Sequence, residues 1–277
     1  MGWAVPVAAD ALQTFLGSRR WPRTIDVRRR NAFELAPSIL PGSLWHDHRA
    51  AVEWGREYRD APWVVVYCAH GEQLSQAAAA VLRSAGINAS FLEGGFSAWH
   101  SLNAPTIARA KVANLGPERP SRWVTATQPT VNQLACPWFV RRFIEPKALF
   151  HFVAAEHVAA VAQEIGAVAF NVSGSPFPPD PSGTPLEAMV SFFDVSDPAL
   201  QRLGTIVQAA DSGAFELAPQ SAGLAALAAG LSGSGLDDRE RFESALTLFD
   251  ALYAWARASE PAQAIPHAKA ARALPPA

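Results

Sequence analysis

Residues 63–86, WVVVYCAHGEQLSQAAAAVLRSAG, decide the fold. Trp63 to Tyr67 is a short run of β-branched and aromatic residues, the composition expected of a strand buried in a parallel sheet. A loop carrying Cys68 follows, and Ser75 to Ser84 is an alanine-rich helical stretch that stops at Gly86. Asn88 to Leu92 reads as a second strand, closed by Gly94-Gly95 and Phe96-Ser97-Ala98-Trp99. Strand, helix and strand at this spacing form a βαβ unit. Arg23 to Val27 (RTIDV) adds a further buried strand upstream, so residues 1–105 are expected to form an α/β domain, a parallel sheet flanked by helices.

Beyond this unit the periodicity fades. Pro105, Gly116, Pro117 and Pro120 punctuate the chain, and 106–121 is expected to be a linker. Residues 122–260 read as a mostly α-helical second domain. Cys136-Pro137 is expected to open a helix, because proline fits a first turn and Trp138, Phe139 and Phe143 follow at helical spacing. Glu156 to Ile165 and Pro198 to Ala210 are further amphipathic helices, and the prolines of 173–184 (SGSPFPPDPSGT) make a loop. Asp237-Asp238 starts a helix with Phe242, Leu246, Phe249 and Tyr253 on one face, and 261–277 is expected to be a flexible tail.

Composition narrows the function. The chain has 277 residues, 49% hydrophobic and 17% charged, enough to bury a core without staples. Its net charge of −2 and the lack of a basic helix argue against nucleic-acid binding. Two cysteines exclude a disulfide framework and a four-cysteine zinc site. The N-terminus has no basic n-region and Asp10 interrupts its apolar stretch, so no secretory signal is read. With no run of about 18 apolar residues, no membrane span is expected, and the cytoplasm is the default location.

Cys68 stands at the carboxyl end of a buried parallel strand, where ligands of open α/β sheets bind. A loop entering a helix there offers free N–H groups and the positive end of the helix dipole, both of which stabilise a thiolate. Gly71 lets the backbone curl so that successive N–H groups face inward. Asp26-Val27-Arg28, Ile39-Leu40-Pro41-Gly42-Ser43, the strand ending in Cys68 and Glu93-Gly94-Gly95-Phe96-Ser97-Ala98-Trp99 occur in order, and on them residues 1–105 resemble a rhodanese-like domain. The resemblance implies a cysteine that accepts sulfane sulfur as a persulfide and passes it to a thiol acceptor. Cys68 would carry the sulfur, and Ala69, His70, Gly71, Glu72, Gln73, Leu74 and Ser75 would cradle it. Arg28, Arg29 and Arg30 form a short basic run near the end of the first strand, which reads as a solvated face or, with Arg28 the candidate, as one arginine leaning over the Cys68 loop. The family's arginine shortly after the cysteine is missing and Glu72 stands inside the loop. Losing a bidentate anion clamp weakens thiosulfate binding and argues against phosphatase chemistry.

In the second half, Trp123-Val124-Thr125, Ala135-Cys136-Pro137-Trp138-Phe139-Val140-Arg141-Arg142-Phe143-Ile144, Ala210-Asp211, Leu217-Ala218-Pro219-Gln220-Ser221-Ala222-Gly223-Leu224 and Asp250-Ala251-Leu252-Tyr253-Ala254-Trp255 resemble the C-terminal domain of ChrB-type chromate-resistance proteins. That resemblance implies a link to chromate or another oxyanion. Cys136 before a helix, with Trp138, Arg141, Arg142, Asp211 and Gln220, is the candidate oxyanion site. No metal and no cofactor are expected: where family members carry Asp and a His- and Cys-containing stretch, this chain has Asn132, Asn171 and the proline-rich loop. The leading expectation is a sulfurtransferase-like protein with a sulfane-sulfur donor and a thiol acceptor. The alternative is a non-catalytic, chromate-responsive regulatory or sensory protein that uses the rhodanese fold as a binding module.

Overall fold

A computed structural model describes residues 4–113, 115, 120–179 and 183–258. The first half runs β1 (Pro6–Val7), α1 (Ala9–Gln13), β2 (Arg23–Asp26), α2 (Arg30–Leu35), β3 (Ser38–Ile39), β4 (Leu44–Trp45), α3 (Ala51–Gly55), β5 (Val64–Tyr67), α4 (Gln73–Ser84), β6 (Ala89–Leu92) and α5 (Gly95–Ser101). Five parallel strands form one sheet in the order β1-β6-β5-β2-β4. Its central strand β5 is fully buried, which is why it reads as an unbroken apolar run rather than an alternating one. In α4 the buried positions Ser75, Ala78, Ala79 and Leu82 recur at helical spacing, and small alanines let the helix lie close to β5 and β6.

The segment expected to be a linker carries regular structure. Ile107–Ala108 forms β7, paired antiparallel with β3, and α6 (Arg109–Ala113) follows. The Arg109 guanidinium donates to the carbonyls of Glu34 and Ala36, strapping this segment to the first domain. Of the remaining linker residues, Gly116 and Pro117 lie outside the described residues, as does the expected tail.

The second half contains β8 (Arg122–Ala126), α7 (Val131–Phe139), β9 (Leu149–Val153), α8 (Val158–Ile165), β10 (Val168–Ala169), α9 (Pro185–Phe192), α10 (Pro198–Ser212), α11 (Gln220–Gly233) and α12 (Asp238–Ala258). Helices dominate, packed on a three-stranded parallel sheet in the order β10-β8-β9. Cys136-Pro137 does not open a helix: α7 begins at Val131, and its start is fixed by the Thr130 N–H donating to the Gln133 side chain, a capping box. Every residue of α7 is buried, and its end widens into a π turn over Val140–Ile144.

The two halves share one hydrophobic core. Leu12, Leu16, Trp21 and Trp99 of the first half lie in the same buried cluster as Trp138, Phe143, Phe249 and Tyr253 of the second. Gly17 presses its backbone against the Tyr253 ring so closely that a Cβ would sit 2.2 Å from Cδ1. The Gly42 N–H donates to the Phe143 carbonyl, the Ala108 N–H to that of Phe193, and the Arg257 guanidinium to that of Gln13. A second, smaller core lies on the α4 face of the parallel sheet and includes Cys68.

Candidate functional site

Cys68 follows the last residue of β5 and is 6% exposed. Burial alone pushes its thiol up. Hydrogen bonds from the Ser75 hydroxyl and the backbone N–H groups of His70, Glu72 and Ser75 outweigh that effect, and the thiol ends below its ordinary value of 9.0. The Sγ to Ser75 Oγ distance is 3.3 Å, with either atom able to donate, and the same hydroxyl is 3.1 Å from the Glu72 carbonyl, so it gives its hydrogen to the sulfur once Cys68 is a thiolate. These donors exist because the loop turns into α4 at Gln73, earlier than the expected Ser75, leaving the helix's first N–H groups aimed back at the sulfur.

Two glycines lock the cradle. Gly71 has φ +70°, and a Cβ there would lie 2.5 Å from the Leu92 carbonyl oxygen and 2.6 Å from the Gly94 nitrogen. Gly95 has φ +59°, and its Cβ would lie 2.4 Å from both the Cys68 carbonyl oxygen and the Gly71 nitrogen. The Phe96 N–H donates to the Cys68 carbonyl (2.9 Å) and the Ser97 N–H to that of Ala69 (3.0 Å). Gln76 Nε2 donates to the Gly71 carbonyl at 3.0 Å. The loop is thus held from its own helix and from the turn that starts α5.

Among the residues expected to cradle the sulfur, His70 and Glu72 contribute backbone N–H groups, and Ser75 both its N–H and its hydroxyl. The His70 imidazole instead meets Ser97 Oγ at 3.1 Å. Ala69 supplies a carbonyl anchor, Leu74 packs against the core cluster that contains Cys68, and the exposed Gln73 starts the helix. Arg28 is committed elsewhere: it forms a buried pair with Asp26 at 2.5 Å, and its guanidinium lies over the rings of Phe96 (4.8 Å) and Tyr67 (5.8 Å). Gln76 was not singled out by the sequence, and Gly95 and Ser97 stood there only within the motif that closes the second strand; their hold on the Cys68 loop is long-range in the chain and has no local signature.

The residues proposed for the second domain do not converge on one site. Cys136 is fully buried inside α7, so it meets no helix N-terminus, and burial, then the nearby charge of Asp211, push its thiol far above the ordinary range. A sealed, neutral thiol is a packing residue. Asp211 caps the start of α7, accepting from the N–H groups of Val131 and Asn132 and from the Asn132 amide. Arg141 and Arg142 lie beyond the other end of that helix, roughly 14 Å away at 1.5 Å per residue. Arg141 pairs with Glu243 at 2.7 Å, and Arg142 with Asp250 at 2.7 Å. The buried Trp138 donates its indole N–H to Asp250 at 2.8 Å, and Gln220 starts α11. Among the described residues no group of three or more His, Cys, Asp or Glu side chains is placed to hold a metal ion, and no helix is long and apolar enough to cross a membrane.

A parallel sheet ending in a cysteine cradled by helix N–H groups is the rhodanese arrangement, and residues 8–102 match the family model of the rhodanese-like domain. Residues 123–256 match that of the ChrB C-terminal domain, so the chain joins a rhodanese-like domain to a ChrB C-terminal domain. Protein ChrB of Cupriavidus metallidurans is 28% identical over 133 residues, which is 48% of this chain and 40% of that relative's length. Among solved structures, a rhodanese-related protein from Thermoplasma volcanium is 28% identical, covering 37% of this chain and 97% of its own with a TM-score of 0.33. A rhodanese-like domain protein from Staphylococcus aureus is 23% identical, covering 34% and 90% respectively, with a TM-score of 0.31.

Proposed function

We propose that this chain is a sulfur carrier of the rhodanese type, with Cys68 as the residue that holds the sulfur. The observation that supports the reading is the setting of the thiol: Sγ lies 3.3 Å from the Ser75 hydroxyl, at the mouth of a loop whose N–H groups at His70, Glu72 and Ser75 pull the thiol down. In the first step the Cys68 thiolate attacks the outer sulfur of a sulfane-sulfur donor. A sulfur–sulfur bond to Cys68 forms as the donor's bond to that sulfur breaks, and the donor's remainder leaves with the electron pair. With thiosulfate the leaving group is sulfite. The product is an anionic persulfide, and the donors that stabilise the thiolate stabilise its terminal sulfur in turn. In the second step an acceptor thiolate attacks that terminal sulfur, and Cys68 leaves as the thiolate.

The run Cys68 to Ser75 contains no arginine, and Glu72 is exposed at its rim. Donors whose leaving portion is a doubly charged oxyanion are therefore disfavoured, and organic persulfides are the better match. The match to the ChrB C-terminal domain supports a link between this carrier and chromate or another oxyanion. Single-turnover transfer from an organic persulfide to a thiol acceptor tests the reading. Transfer lost in Cys68→Ser and kept in Cys136→Ser supports it. Equal transfer by all three proteins, or none by any, refutes it and leaves a binding module.

A further inference from the structure

At the amino ends of the parallel strands, opposite Cys68, both halves of the chain send arginines into one cleft. Arg19, Arg20 and Arg23 come from the first half and Arg141 and Arg142 from the second, around a cavity of about 180 Å³. We propose that this cleft binds a small tetrahedral dianion, held jointly by the two domains.

The charge balance carries the argument. Arg141 and Arg142 have acidic partners in Glu243 and Asp250, but Asp250 is already shared with the Trp138 indole N–H and the Arg19 backbone N–H. The guanidinium groups of Arg19, Arg20 and Arg23 have no acidic partner among the described residues; that of Arg20 lies over the Phe15 ring at 4.8 Å. Arg23 is half-buried, and burial, with the neighbouring charge of Arg142 acting against the opposing effect of Tyr58, holds its guanidinium below its usual range. Such crowding of like charge is relieved by an anion. Planar guanidinium forks match the oxygens of a tetrahedral oxyanion two at a time, and the apolar walls of Trp63, Pro62 and Pro146 limit screening by water. A cavity of this size holds an inorganic ion and falls short of the roughly 300 Å³ at which organic-ligand pockets begin.

The cleft is separate from the sulfur site. Arg23 donates its N–H to the Trp63 carbonyl at the start of β5, and Cys68 follows the far end of that strand, roughly 16 Å away at 3.3 Å per residue. Because both domains supply the arginines, an ion seated there ties them together and raises stability in a saturable way.

Calorimetric titration and thermal unfolding of the full chain test the proposal, in a Cys68→Ser background so that an oxidising anion cannot consume that thiol. The probes are sulfate, phosphate and chromate, each against chloride at matched ionic strength. Saturable binding and a rise in Tm with at least one dianion, and none with chloride, are expected. Arg20→Gln/Arg23→Gln should bind about tenfold more weakly, and Arg20→Gln alone, at an exposed position, should weaken binding measurably without unfolding the chain. Arg29→Gln/Arg30→Gln, outside the cleft, should bind like the parent. The relative affinities of the three anions then identify the preferred ion. An equal response to chloride, or unchanged affinity in the Arg20 and Arg23 variants, overturns the proposal. Persulfide formation plays no part in the readout, so the sulfur-carrier reading stands or falls separately.

Discussion

Gly95→Ala probes whether the cradle is as rigid as its contacts imply. The added Cβ would meet the Cys68 carbonyl oxygen and the Gly71 nitrogen at 2.4 Å and the Ala69 carbonyl carbon at 2.8 Å, all backbone atoms with no rotamer to change. Two costs add: about 1–2 kcal/mol for an L residue at positive φ, and about 1–3 kcal/mol for overpacking. Gly86→Ala isolates the first cost, since Gly86 has φ +82° but nothing within 4 Å of its Cβ position. Urea unfolding should therefore give a loss of roughly 2–5 kcal/mol for Gly95→Ala and about 1–2 kcal/mol for Gly86→Ala. The backbone at Cys68 and Gly71 must also shift, so the Cys68 thiol, followed by thiolate absorbance against pH, should titrate higher in Gly95→Ala only. Equal losses in the two variants, with an unshifted thiol in both, would show that the loop yields freely and would refute the rigid cradle.

Four further outcomes follow from the contacts. Ser75→Ala removes the hydroxyl donor to Sγ, so the Cys68 thiol should move up toward 9.0. The depressed thiol also gives wild type a stability gain over Cys68→Ser, present in full above about pH 9.0 and lost as pH falls through the folded thiol's pKa; urea titrations across that window should show the gain shrinking in Ser75→Ala. Asp250→Ala strips the acceptor shared by Arg142, Trp138 and the Arg19 N–H, and should cost about 3–5 kcal/mol by the same assay. Because Leu12, Trp21 and Trp99 share a core with Phe143 and Tyr253, calorimetry of the full chain should show one unfolding transition, and two well-separated peaks would contradict the shared core.

The parts legible in the sequence were those set by local pattern. The β5–α4–β6 unit could be read because burial on both sides demands an unbroken apolar run, and because alanines spaced for a helix end at a glycine. Misreadings arose where distant residues decide. Cys136-Pro137 looked like a first turn, yet the helix start is set by Thr130 and Gln133, with Asp211 from α10 as a second cap. Proline and glycine made 106–121 look like a linker, while the pairing of Ile107–Ala108 with Ser38–Ile39 is a long-range contact with no local signature. The β10-β8-β9 sheet escaped notice for the same reason: the partners of its strands lie far along the chain. At the Cys68 loop, the cysteine, the glycine curl and the helix entry were readable, whereas the commitment of Arg28 to Asp26 and of His70 to Ser97 required the fold.

The central claim is that Cys68, and not Cys136, takes up sulfur, because one thiol is cradled by donors and the other sealed in the core. Peptide mapping by mass spectrometry, after incubation of the native chain with an organic persulfide and capping of free thiols on unfolding, tests it most directly. The account predicts one added sulfur on the peptide containing Cys68 and none on that containing Cys136. An unmodified Cys68 peptide, or added sulfur on Cys136 alone, would contradict it.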